Sequence, residues 1–139
     1  MKLSRTLLIL GSLAAASAQA PSRAVVTNLD TAAWEHEKND PPGSEGVMLR
    51  ADPTTGGMDL LVRFPGGHVI APHFHDSNER IVVVEGELTL RQDSGETRIK
   101  SGGYAFLPAR EIQRLSCSSQ TRCTFYLSWD GKPASHSAK

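Results

Sequence analysis

Beyond residue 18 no stretch of a dozen residues keeps a helical hydrophobic period, which limits the chain to β architecture. Short apolar runs recur instead, closed by Gly, Pro, Asn or Asp. Strands are expected at 47–51, 58–64, 79–85, 87–93, 97–100, 104–107, 112–116 and 123–129, with a further one at 24–29. The breaks are clear: 52–57 is turn-rich, Pro65-Gly66-Gly67 ends one run, and Asp93-Ser94-Gly95-Glu96 reads as a hairpin turn. Ile81, Val82, Val83 and Val84 form a β-branched run that suits a strand covered on both faces. About nine strands in a single domain mean an all-β sandwich or barrel, and 139 residues is the size of one domain.

The N-terminus reads differently. Lys2 and Arg5 precede a short apolar stretch at 7–13 and then a run of small residues, the pattern of a secretory signal peptide at 1–18 cleaved after Ala18. The apolar stretch is too short to span a bilayer; an uncleaved anchor or a buried helix are the alternatives. The protein is therefore expected to be exported, periplasmic or secreted, with no membrane attachment after cleavage. Residues 19–46 read as an N-terminal arm with a turn at 40–43 and Trp34 as its anchor. Residues 47–130 are the barrel and 131–139, small and polar, a flexible tail.

Fifteen Lys and Arg balance fifteen Asp and Glu. Loss of Lys2 and Arg5 with the leader leaves 13 basic against 15 acidic side chains, a net charge of −2. Nucleic-acid binding draws its affinity from a basic excess, so no nucleic-acid partner is expected. Cys117 and Cys123 flank a five-residue loop. In an oxidising compartment that pair reads as a disulfide, with free thiols or a redox pair as alternatives.

The chemistry is concentrated in residues 67–86. His73 and His75 are two apart and share a strand face. A turn of Asp76-Ser77-Asn78 would make a hairpin, bringing Glu79 back beside the imidazoles. Two neutral imidazoles and a carboxylate make the facial set of a mononuclear metal site with open positions for water, dioxygen or a chelating substrate.

This segment resembles the cupin superfamily. Gly67, His73, His75, Glu79 and Gly86 match its first motif without gap or substitution. In its second motif Gly102 and Pro108 match, but Arg110 stands for the usual Gly, Gln113 for the usual fourth metal-binding His, and Cys117 for the usual Asn. The resemblance spans 47–129 and extends loosely to Trp34 and Ala51-Asp52-Pro53. It implies an all-β jelly-roll barrel, the cupin double-stranded β-helix. It also implies one divalent metal ion (Fe, Mn, Ni, Zn or Cu) on His73, His75 and Glu79, with ligands on the inner face. Gln113 would complete the set, hydrogen-bond a metal-bound water, or merely fill the barrel of a metal-free site.

The implied function is binding, and as an enzyme transforming, a small organic molecule. Dioxygenase-like chemistry is favoured, with isomerase or decarboxylase activity also in reach. The alternative is a non-catalytic module that binds or senses a small ligand or metal. Glu111 and Arg110 are the further catalytic candidates: Glu111 shares a strand parity with Gln113, and Arg110 lies near the barrel mouth. Arg63, Arg80 and Arg114 join Arg110 as possible anchors for an anionic substrate, although strand arginines usually reach solvent. Tyr104, Phe106, Phe125, Leu127 and Trp129 are expected to pack in the core or wall a pocket; Phe106 and Trp129 would plug a dead one. His68 is read as a loop histidine, and His36 and His136 as bystanders. Val82 and Val84, facing outward, suggest a homodimer contact.

Overall fold

The computed structural model describes residues 23–36, 38 and 42–139. Among them lie ten strands: β1 (Glu45–Ala51), β2 (Met58–Phe64), β3 (Val69–His75), β4 (Glu79–Glu85), β5 (Glu87–Gln92), β6 (Gly95–Lys100), β7 (Tyr104–Leu107), β8 (Gln113–Cys117), β9 (Cys123–Trp129) and β10 (Ser135–Ser137). They form two five-stranded sheets, β1-β2-β9-β4-β7 and β10-β3-β8-β5-β6, in which every pairing is antiparallel. Among the described residues there is no helix. Two facing sheets with most connections crossing between them make a jelly-roll barrel, as the strand pattern and motif led one to expect.

The core follows from side-chain alternation. On β4, Ile81 and Val83 point inward at 0% and 1% exposure, whereas Arg80, Val82 and Val84 are half-buried on the outer face. The β-branched run is thus fully covered on one side only, a correction to the two-faced expectation: its sheet lies against one partner layer. Leu88 and Leu90 of β5, Leu115 of β8 and Phe125 of β9 meet Ile81 and Val83 from the other strands. Burying each such side chain stabilises by about 1.5–3 kcal/mol.

Three local expectations differ from the structure. The turn 76–78 is not a hairpin, because β3 pairs with β8 and β10 while β4 pairs with β9 and β7, so the turn carries the chain from one sheet to the other. No strand forms at 24–28; the arm is fixed instead by Arg63, 4.1 Å over the Trp34 ring, and by a backbone bridge between Glu35 and Gly46. The polar segment after Gly131, expected to be a flexible tail, carries β10, which fills the edge of β3 with Ser135 opposite His75 and Ser137 opposite His73. Backbone pairing needs no apolar pattern, and the three residues of β10 are all exposed. The expected leader at 1–18 lies outside the described residues, and the expected turn at 40–43 is described only from Pro42.

Two backbone positions give the motif residues a physical reason. Gly86 has φ +79°, and a Cβ there would lie 2.9 Å from the Arg122 carbonyl, so only glycine fits the passage from β4 to β5. Arg110, standing where glycine is usual, adopts φ +67°. A left-handed conformation costs a residue with a Cβ about 1–2 kcal/mol. Its amide donates to the His75 carbonyl at 2.8 Å and its guanidinium reaches Asp76 at 3.2 Å, and these contacts offset part of that cost.

The disulfide forms as expected, joining Cys117 at the end of β8 to Cys123 at the start of β9. Because β8 and β9 belong to opposite sheets, it ties the two layers together. Both cysteines are buried, at 1% and 0% exposure. Replacing both with Ala should lower stability by about 2 kcal/mol on the chain-entropy account of a short closed loop. Guanidinium unfolding reads this directly; an unshifted midpoint would show that the bond constrains nothing.

Candidate functional site

Strands β8 and β9 carry the disulfide at one end and the candidate site at the other. Gln113 opens β8, and Trp129 closes β9. Across the sheets Trp129 is opposite both Met58 and Glu79, and Gln113 is opposite His73. On β3 the register slips between Ile70 and His73, which face Leu115 and Gln113 of β8. Three residues thus span two of the partner strand, a β-bulge that accommodates Pro72 and brings Ile70, His73 and His75 to one side.

That side faces a cavity of about 490 Å³ between the sheets. At one end stand His73, His75, Glu79, Gln113 and Trp129. Its apolar walls are Met58, Leu60, Val62 and Phe64 of β2, Phe125 and Leu127 of β9, and Ile70 and Leu115 opposite. Glu35, Ser44, Glu45 and Met48 from the arm and β1, and Ser135 of β10, complete it.

The hydrogen bonds fix how the polar end is presented. His73 Nδ1 lies 2.8 Å from the Ala71 carbonyl, and His75 Nδ1 lies 3.2 Å from the Pro133 carbonyl. A carbonyl can only accept, so each Nδ1 carries a proton and each Nε2 is the ring nitrogen turned to another partner. The two rings sit edge-to-face with centroids 5.0 Å apart. His75 Nε2 is 3.7 Å from Glu79 Oε2, and Gln113 Nε2 donates to that same oxygen at 2.5 Å. Because the carboxylate faces the amide nitrogen, Gln113 Oε1 is left buried without a partner among the described residues, as is Trp129 Nε1.

Glu79 is 4% exposed, and burial holds its carboxyl above the ordinary 4.5, opposed by the Gln113 hydrogen bond and the charge of His73. Burial also holds His75 below its ordinary 6.5, against the pull of the Pro133 and Ala134 carbonyls, so its imidazole is kept neutral.

In donor chemistry this set fits a divalent transition metal: two imidazole lone pairs oriented by backbone carbonyls, a carboxylate and an unpartnered amide oxygen. As the side chains stand, no group of three or more His, Cys, Asp or Glu among the described residues is placed to hold a metal ion. One oxygen of Glu79 is engaged by Gln113 instead.

The remaining candidates separate. Glu111 lies outside β8 and accepts a hydrogen bond from Gln92, so it does not line the cavity. Arg110 stays on the surface with Asp76, Arg63 pairs with Glu45 at 2.5 Å, and Arg80 grips Asp130 at 2.5 and 3.2 Å. Neither these nor Arg114 reaches the cavity. Phe125, Leu127 and Trp129 wall it, while Tyr104 and Phe106 are 59% and 47% exposed on the outer face, so Phe106 plugs nothing. His68 packs 4.6 Å from the Phe64 ring rather than standing free in a loop. His36 Nδ1 meets the Ser44 carbonyl at 2.7 Å. His136, read as a bystander, stacks on Phe74 and contacts Asp76 at 2.9 Å, and that bond holds Asp76 below its usual range. Pro133 and Ser135 were not singled out from the sequence, since small polar residues carry no strand signal.

A jelly-roll barrel with His73, His75 and Glu79 on its inner wall is the architecture of the cupin superfamily. Within it, the chain belongs to the ChrR cupin-like domain family, whose model matches residues 22–130. No curated protein matches the sequence. Among solved structures, the polyketide cyclase RemF from Streptomyces resistomycificus superposes with a TM-score of 0.68 at 18% identity, over 84% of this chain and 87% of that one. A candidate acetylacetone dioxygenase from Methylibium petroleiphilum PM1 gives 0.66 at 18% identity, over 84% and 89%. A sugar phosphate isomerase from Silicibacter pomeroyi DSS-3 gives 0.64 at 21%, over 81% and 80%. At these identities the likeness is one of fold.

The Glu79 environment has a pH signature. A carboxyl whose folded value lies above its unfolded value adds stability below about pH 4.5, and the benefit is lost as pH rises through the folded value. Glu79→Gln can still accept from Gln113 and carries no charge. Metal-free Glu79→Gln should therefore gain on the native protein as pH rises, by about 1–3 kcal/mol, the usual cost of an imperfectly satisfied buried group. Urea midpoints in chelator, from about pH 5 to about pH 8, test this; parallel curves would mean Glu79 is not desolvated.

Proposed function

We propose that this protein is a mononuclear metal-binding cupin that holds a small organic molecule in the cavity beside His73, His75 and Glu79, with dioxygenase-like chemistry favoured. The observation that carries the reading is the pair of histidines whose Nδ1 atoms are engaged by carbonyls while their Nε2 atoms stay available beside a buried carboxylate. A metal bound there would supply Lewis acidity or dioxygen activation. The chain's own part is to orient the two imidazoles, to hold Glu79 under the Gln113 amide, and to keep bulk water from the apolar end of the cavity. Gln113 is the group that exchanges partners: its amide oxygen is already unpartnered, and releasing Glu79 frees a carboxylate oxygen beside it for a cation.

Purified wild-type protein should carry about one metal ion per chain, and the His73→Ala, His75→Ala double variant at most about a tenth of that. Equal metal content in the two sinks the reading. Oxygen consumption with ferrous iron and a panel of 1,3-diketones, flavonols and thiols tests the oxygenase branch. A loaded protein that consumes no oxygen on any of them removes the oxygenase branch and leaves isomerase or decarboxylase chemistry beside the second reading, a non-catalytic binding or sensing module; the Gln at position 113 fits either.

Export belongs to the same proposal. A disulfide tying the sheets suits an oxidising compartment. Mass spectrometry of the exported protein should find a chain starting at Gln19; an intact Met1 start in that fraction would refute cleavage.

A further inference from the structure

The charge inventory of the cavity wall carries one step more. The carboxylates along it are Glu35, Glu45 and Glu79, and among the described lining residues there is no Lys or Arg, His73 and His75 being the basic side chains present. Glu45 is already matched by Arg63, whose guanidinium is in turn stacked on Trp34. Arg50, Arg80 and Arg110 are likewise committed to carboxylates at the surface. An anion entering would give up its water, meet no compensating guanidinium or ammonium, and approach the carboxyl of Glu79.

The rest of the wall asks for hydrocarbon. Met58, Leu60, Val62, Phe125 and Leu127 offer no hydrogen bond, whereas the end near Glu79 holds a buried donor and a buried acceptor without partners, on Trp129 and Gln113. A carbonyl or hydroxyl oxygen would satisfy an indole N–H, and a hydroxyl would also satisfy an amide oxygen. A volume of about 490 Å³ falls within the range that takes a drug-sized or smaller ligand.

We propose that the cavity selects an uncharged, mainly hydrocarbon small molecule with one carbonyl or hydroxyl end, placed at the Glu79, Gln113 and Trp129 end, and discriminates against carboxylates and phosphates. This deepens the reading of the cavity as a ligand site, but it does not depend on the metal.

The test is equilibrium dialysis against 2-acetylnaphthalene and 2-naphthoate, which share a ring system and differ in charge, using chelator-treated and metal-loaded protein in parallel. The ketone should bind both forms at about one per chain, and in the chelator-treated form at least about tenfold more tightly than the carboxylate. Val62→Phe and Leu60→Phe, each filling the cavity from β2, should each weaken the ketone by about tenfold or more. Either variant alone suffices should the other fail to fold. No binding of the ketone, naphthoate equal to it in the chelator-treated form, or ketone binding unaffected by a folded cavity-filling variant would each overturn the inference. Ketone binding by protein that takes up no metal on loading would instead leave it standing and remove the metal reading.

Discussion

Glu79 is a carboxyl at 4% exposure facing a largely apolar cavity, and most of what surrounds it answers that placement. A buried carboxylate is tolerated only if hydrogen bonds or charges meet it. Gln113 supplies one bond from the opposite sheet, and His75, four residues earlier in the chain, stands 3.7 Å away. Those partners are held in turn. Gln113 is fixed by the β3–β8 pairing and His75 by the Pro133 carbonyl, while the bulge at Pro72 swings His73 to the same side. The local arrangement is a desolvated carboxyl met by one hydrogen bond and a neighbouring imidazole.

The barrel is divided lengthwise. At the disulfide end Cys117, Cys123, Val83, Leu88 and Phe125 are essentially inaccessible and pack as a solid core. At the other end the same strands part around the cavity. Close packing at one end lets the other stay hollow, because the sheets are already held apart at a set distance and tied by a covalent link. Precision at the site is thus borrowed from packing several residues away along β8 and β9.

Much of this was legible in the residues, for identifiable reasons. Strands β2, β4 and β9 carry dense apolar patterns, and their bounds were readable to the residue. The motif around His73, His75 and Glu79 was visible because metal chemistry needs those residue types at that spacing. Connectivity was less visible: a three-residue turn looks the same whether it closes a hairpin or crosses between sheets, so the passage from β3 to β4 was misread. The arm was taken for a strand because Val25 and Val26 are β-branched, yet they are 55% and 83% exposed with no partner strand beside them. Strand β10 was invisible since an edge strand bonded through its backbone needs no particular side chains. The Pro133 carbonyl left no trace either, because any residue has one.

Strand β10 has a practical corollary. It runs antiparallel to β3 with Ser135 against His75 and Ser137 against His73, and Ala138 donates to the Pro72 carbonyl at 2.9 Å. Whatever is joined to the chain after Lys139 therefore emerges beside the candidate ligands rather than at a distant terminus. A histidine purification tag fused there would place competing imidazoles within a few residues of the site and report its own metal.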